Sequence, residues 1–125
     1  MLFRSEGAWT PPYSSTGASF SYSVQAGRYI KVGQLVYAQF YLLATASGTT
    51  SNSLSITGLP FTSVNSTYSQ PGNAVWFSGT GTPVPLVQPN NTVMTPYLMG
   101  SVSVLLASAA NSAYFVGMVV YQAAN

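Results

Sequence analysis

The chain contains no cysteine, no histidine and no aspartate, and its one carboxylate side chain is Glu6. Without cysteine there is neither a disulfide frame nor a thiolate, and the redox compartment leaves no mark on the sequence. A Ser-His triad and a zinc site need His or Cys, a glycosidase needs a pair of carboxylates, and hard cations want several. None of these can be assembled within one chain of this composition. No catalytic residue, metal ligand or cofactor-binding residue is therefore expected, and the chain reads as a non-enzyme. The glycine-rich stretch "SGTGTP" (78–83) lacks the lysine and following helix of a phosphate-binding loop.

Charge is equally scarce: charged residues are 3% of the sequence, against about 25% in an average soluble domain. Arg4, Glu6, Arg28 and Lys31 account for all of it, and nothing from Val32 to Asn125 carries a charge. Three cations make no basic stripe, so nucleic acid is not expected as a partner. A surface this poor in charge has little to repel a neighbouring copy, which predicts an oligomer. No run of about 20 apolar residues offers a membrane span, since the best candidate, 98–120, is broken by Ser, Asn and Gly. No basic segment precedes an apolar one at the start, so neither a signal peptide nor membrane insertion is expected.

What is present is apolar and aromatic. Hydrophobic residues are 47% of the 125 and aromatics 14%, with nine tyrosines. The length predicts one domain, residues 6–125, large enough to bury roughly two-thirds of its unfolded surface. Residues 1–5, "MLFRS", are set apart. Leu-Phe-Arg-Ser is what a common sequencing-adaptor end encodes in one frame, which points to a metagenomic reading frame truncated upstream.

Gly, Pro, Asn and Ser/Thr clusters recur every eight to fifteen residues or so, and no apolar pattern at helical spacing is sustained. Residues 19–25 alternate Phe20, Tyr22 and Val24 against serines. Residues 28–46 form the longest strand-like region, with Val36, Ala38, Phe40 and Leu42 on one face, expected in the core, and Leu35, Tyr37, Gln39, Tyr41 and Leu43 on the other; alternation alone allows the two faces to be exchanged. A strand apolar on both faces is covered twice. In "SLSITGLPF" (53–61), Leu54 and Ile56 alternate with Ser and Thr until Gly58 and Pro60 break the pattern, giving strand, corner and apolar plug. Residues 73–78 set Val75 and Phe77 against Ala74 and Trp76. The segment 79–85 is expected as a loop that its two prolines confine to an edge or crossing, and 92–99 as a strand that Pro96 places at an edge or a bulge. Strands over 101–106 and 114–121 are predicted with 107–112 as their hairpin connection. About eight short antiparallel strands on one core make an all-β sandwich or jelly roll.

The segments "GAWTPPY", "YSVQAGRYIKVGQLVYAQFYL" and "LSITGLPFTS" resemble the C-terminal head domain of bacteriophage tail fibres and related virion proteins. The matching positions are Gly7, Trp9 and Pro11; Gly27, Tyr29, Lys31 and Gly33; and Ile56, Gly58, Leu59, Pro60 and Phe61. The resemblance covers about the first half of the chain and ends at Ser63. It implies a homotrimeric β-sandwich, jelly-roll-like head at the tip of a fibre shaft, made in the bacterial host cytoplasm and carried on the virion. Tyr37, Gln39 and Tyr41 are then expected at the trimer interface.

A neutral glycan is the expected ligand, held by aromatic rings that stack on sugar faces and by Asn, Gln, Ser and Thr, with an affinity nearly indifferent to salt; salt-sensitive binding would point instead to Arg28 and Lys31 meeting an anionic polymer. Tyr68 and Tyr97 stand beside turn formers, where binding residues gather, and are receptor- or glycan-binding candidates; Trp76 is a third, at a position expected in the core ahead of a ligand contact. Asn65 and Asn90 begin N-glycosylation-type triplets that serve here only as markers of polar loops. The expected function is a phage tail-fibre head that binds a bacterial cell-surface glycan or protein receptor. The alternatives are a structural trimerisation cap of a viral fibre and a free-standing oligomeric lectin-like protein.

Overall fold

β3 (Ala18–Val32) and β4 (Leu35–Gly48) form an antiparallel hairpin whose tight turn is Gly33 and Gln34, with Gly33 at φ +59°. The stretch 28–46, expected as one strand-like region, thus contains a reversal. Gly33 is the only turn former there, and apolar residues on both sides carry the alternation through it. A computed structural model describes residues 4–67, 69–79, 81–99 and 103–124, and at 71, 74 and 75 the backbone alone. The other strands are β1 (Arg4–Trp9), β2 (Tyr13–Ser14), β5 (Ser55–Ile56), β6 (Gln70–Phe77), β7 (Pro83–Val87), β8 (Met94–Leu98) and β9 (Ala113–Gln122). They make a nine-stranded sheet in the order β1-β3-β4-β9-β6-β7-β8-β5-β2, with every strand pair antiparallel. The protein is all-β and antiparallel. β1 starts at Arg4, so Arg4 and Ser5, set apart in the sequence, pair with Val32 and Lys31.

The sheet has two halves joined by β6, whose Gln70 and Pro71 pair with β7 while Gly72 to Phe77 pair with β9. Across the far half, Gln70, Val87, Met94, Ile56 and Tyr13 stand in register, the last four buried. Those four share one core cluster with Val36, Ala38, Phe40, Leu42, Phe115 and Val119 of the near half. Links between the halves fold them together: the Tyr13 ring lies 5.2 Å from Phe20, and the Tyr13 N–H donates to the Tyr22 hydroxyl at 2.8 Å. The Tyr121 hydroxyl donates to the Phe61 carbonyl at 2.9 Å and accepts from the Phe61 N–H at 3.3 Å.

Two expectations need correction. Residues 79–85 are not all loop, since Pro83 and Pro85 lie in β7, an interior strand. Gln88 donates to Val93 across this pair, while the Leu98 N–H turns away to Ser103. That phase puts Pro85 opposite Pro96 at a position where neither N–H would enter the shared ladder, so prolines are tolerated. Residues 101–106, of which 101 and 102 lie outside the described residues, are not a strand paired with β9. The segment is held to β8 by one antiparallel bridge, Tyr97 to Val104, closed by Leu98 N–H to Ser103 and Leu105 N–H to Pro96, and to Ser53 by another at Leu106; Pro96 offers no donor with which to extend the first into a ladder. The expected hairpin connection holds a helical turn, α1 (Ala107–Ala110).

On the core side of the near half, rings and glycines alternate like a checkerboard. One row reads Trp9, Gly27, Phe40, Gly117 across four strands, and the next reads Gly7, Tyr29, Ala38, Val119, Gly72 in the opposite phase. A Cβ on Gly27 would sit 2.6 Å from Trp9 Nε1, one on Gly117 2.7 Å from Phe40 Cζ, and one on Gly7 3.0 Å from Tyr29 Cε1. Each ring covers the glycine opposite it, which hides backbone that a bare glycine would leave open. Gly7, Trp9, Gly27 and Tyr29 are thus matched pairs of one packing motif. Phe61 meets Tyr29 edge to face at 5.2 Å, and Lys31 Nζ lies 5.3 Å over the Phe61 ring while donating to the Gly33 carbonyl. The second and third segments of the resemblance meet at this corner.

Candidate functional site on the outer face of the sheet

Because the core takes every second residue of β3, β4 and β9, the others form the outer face of the near half, and cross-strand register sorts them into bands. Beside the Gly33 turn lies an aliphatic band of Val32, Leu35, Ile30 and Val120, with Tyr37 among them. All four aliphatic side chains are solvent-exposed, Leu35 at 57%. Next comes a polar band of Arg28, Gln39, Met118 and Asn73. Beyond it Tyr41, Val116 and Trp76 are in register, with Leu43 and Tyr114 following. The indole of Trp76 stacks on Tyr114 at 4.8 Å and 11°, and Tyr41 meets Tyr114 edge to face at 5.9 Å. At the far end of the hairpin Ser19, Ser21, Thr45 and Ser47 leave the face covered in hydroxyls.

A depression of about 320 Å³ occupies the middle of this face, walled by Arg28, Tyr37, Gln39, Tyr41, Val116 and Met118. Its floor is the backbone of Gly27, Phe40 and Gly117. A neighbouring one of about 240 Å³ shares Arg28, Tyr37 and Gln39 and reaches Arg4, Glu6 and Ile30 on the β1 side. Arg4 and Glu6 form an ion pair. Lys31 is on the opposite side of the sheet, over Phe61.

Of the sequence-derived candidates, Tyr37, Gln39 and Tyr41 line one side of β4 and all face outward, one in each band. Trp76, expected in the core ahead of a ligand contact, is instead 50% exposed. A bulge between Ala74 and Trp76 shifts the register so that Trp76 joins Val116 outside and Phe77 joins Phe115 inside. Tyr97 is half-buried in β8, in the far half, pairing with Val84 and bridging to Val104, so it does not join Trp76. Tyr68 lies outside the described residues. Sequence reasoning did not single out Tyr114, Val116 or Met118, and it weighed Arg28 only together with Lys31, as the contact of an anionic polymer. The signal for the first three was the doubly apolar run 114–121, whose alternate members had to face something other than the core.

The tyrosines with displaced acidities lie in the core rather than on this face. Burial pushes the Tyr121 hydroxyl up to about 12, against a smaller lowering by its bond to Phe61, and burial also raises Tyr13. They are structural groups. Among the described residues no three metal-ligating side chains cluster, and no helix is long and apolar enough to cross a membrane. No protein-family model matches the chain, and no curated protein matches it.

Proposed function

We propose that this protein is the receptor-binding head of a viral fibre, a homotrimer of jelly-roll-like β-sandwich subunits that adheres to a bacterial surface. The observation that carries the reading is the aliphatic band: Leu35, Ile30, Val32 and Val120 lie exposed side by side on a sheet whose other side already packs the core. A contiguous exposed apolar surface in a chain nearly devoid of charge calls for a protein neighbour. A second copy of the same surface is the simplest cover, and the resemblance to fibre heads supplies the number three. Tyr37 belongs to this interface, with Gln39 at its margin. Tyr41, a band further on, stays at the edge of the receptor-facing part of the sheet. Recognition then falls to exposed rings, with Trp76 foremost, and to amides and hydroxyls, a combination suited to saccharides.

Light scattering at micromolar concentration should give the mass of three chains, and Leu35→Glu with Val120→Glu should reduce it to one while leaving the β-sheet circular dichroism unchanged. A monomeric parent would remove the fibre-head reading. Labelled trimer should also adsorb to cells of a susceptible bacterium. A trimer that adsorbs to none of a broad strain panel would reduce the domain to a structural cap.

A further inference from the structure

Arg28 stands in the middle of the outer face, on the wall shared by both depressions. The chain's sole carboxylate side chain, Glu6, is already paired with Arg4, and among the described residues Arg28 has no ion pair. A second copy could bring only its own Glu6, equally committed. Sealing Arg28 under a neighbour would therefore strand a cation away from water, at a cost far above that of covering Leu35 or Val120. The polar band is thus the part of the face that assembly should leave open or fill with an anion from outside.

The walls around Arg28 narrow the choice of anion. Tyr37, Tyr41, Val116 and Met118 present apolar and aromatic surface, while Gln39 and the tyrosine hydroxyls offer hydrogen bonds. A bare inorganic anion would leave those walls unused. An extended acidic peptide would look for unpaired backbone, yet the depression lies over β3, β4 and β9, where β4 is paired on both sides. A volume of about 320 Å³ falls at the small end of ligand sites. Resting on the receptor-binding reading above, we propose that this depression binds the carboxylated sugar unit of an acidic saccharide, of uronic or sialic type. The guanidinium takes the carboxylate in forked geometry, the Tyr41 ring takes a sugar face, and Gln39 takes a ring hydroxyl. Apolar surroundings strengthen the charged contact relative to open solvent.

The test is an array of matched oligosaccharides ending in uronate, sialate or a neutral hexose, probed with the intact protein at low salt and at about 0.5 M salt. Retention of acidic termini over neutral ones is expected, weakened by salt. Arg28→Gln should lower it about tenfold or more, with Arg28→Lys in between, as loss of a charged hydrogen bond implies. The mass by light scattering should not change, since Arg28 is exposed. Equal retention of acidic and neutral termini, undiminished retention by Arg28→Gln, or equal competition by an acidic peptide would each overturn the site. If the parent still adsorbs to cells in those cases, receptor binding stands and only the Arg28 site falls. If the parent keeps its mass but retains no saccharide and adsorbs to no cell, receptor binding falls with it.

Discussion

Glycine in the interior of a strand is ordinarily a weakness, and replacing it by alanine is expected to stabilise by about 0.5–1 kcal/mol. Gly27→Ala should do the reverse here. The new methyl would begin 2.6 Å from Trp9 Nε1 and 2.8 Å from Cδ1, distances no settled contact shows. Trp9 is 8% exposed, and its Nε1–H donates to the Gln39 carbonyl at 3.1 Å, so the ring cannot move aside without giving up that bond. Overpacking costs about 1–3 kcal/mol and the lost hydrogen bond about 1 kcal/mol. After the strand gain is subtracted, Gly27→Ala should destabilise by about 1–3 kcal/mol. Urea unfolding at fixed protein concentration measures it, the concentration being held because assembly contributes to stability. The sign should flip in a Trp9→Leu background, where the indole is gone and the methyl has room. A parent-like or higher midpoint for Gly27→Ala, or strict additivity in the double mutant, would refute the claim that ring and glycine are packed as a pair.

Phe40→Ala should cost about 3–5 kcal/mol by the same assay, because the ring is 2% exposed and packs edge to face on Phe115 at 5.1 Å. A loss below about 1 kcal/mol would mean that β4 is turned over. Stability should stay nearly level from weakly acidic to weakly basic pH, there being no histidine to charge and one exposed carboxylate, Glu6. It should fail in alkali. Burial holds the folded Tyr121 hydroxyl up to about 12 against about 10 for a free tyrosine, so its contribution is full below about pH 10 and is lost as pH rises to about 12. Tyr121→Phe should shallow that alkaline decline while lowering neutral stability, and circular dichroism against pH reads both. A transition between about pH 5 and 8, where histidine titrates, would contradict the reasoning.

Much of the near half was legible in the chain because period-2 alternation survives wherever a strand is straight. Val36, Ala38, Phe40 and Leu42 share one face, as their spacing predicts, and that face is the buried one. Legibility failed where backbone geometry changes phase without changing composition. The Gly33 turn sits between apolar flanks that match one another across it. The β6 bulge turns Trp76 outward against the parity of its neighbours. The 103–106 segment alternates like a strand, yet Pro96 denies it a ladder. Of the outer face, β4's contribution could be read directly, whereas its banding depends on cross-strand register among β3, β4, β9 and β6, which joins residues up to ninety positions apart, as with Val32, Leu35 and Gln122. The isolation of Arg28 follows from Glu6 having chosen Arg4, a partner two residues away.

The passage of β6 from one half of the sheet to the other has a consequence for how the protein tolerates changes of length. Pro71 pairs with β7 and Gly72 with β9, so there is no slack between the two ladders. Inserting or deleting a single residue at that junction would invert the facing of every side chain on one side of it, sending Phe77 out and Trp76 in, or turning Val87 and Met94 away from the core. The segment from Thr49 to Ser53, although largely exposed, is also tied on two sides: the Thr49 N–H donates to the Gly17 carbonyl and Asn52 Nδ2 to the Thr16 carbonyl, while the Thr50 and Asn52 carbonyls accept from the N–H groups of Ser108 and Ala107. Because of the inversion at the β6 junction, length variation among natural relatives or engineered libraries should be nearly absent from 70–73, and a tag, a loop graft or a split point does not belong there.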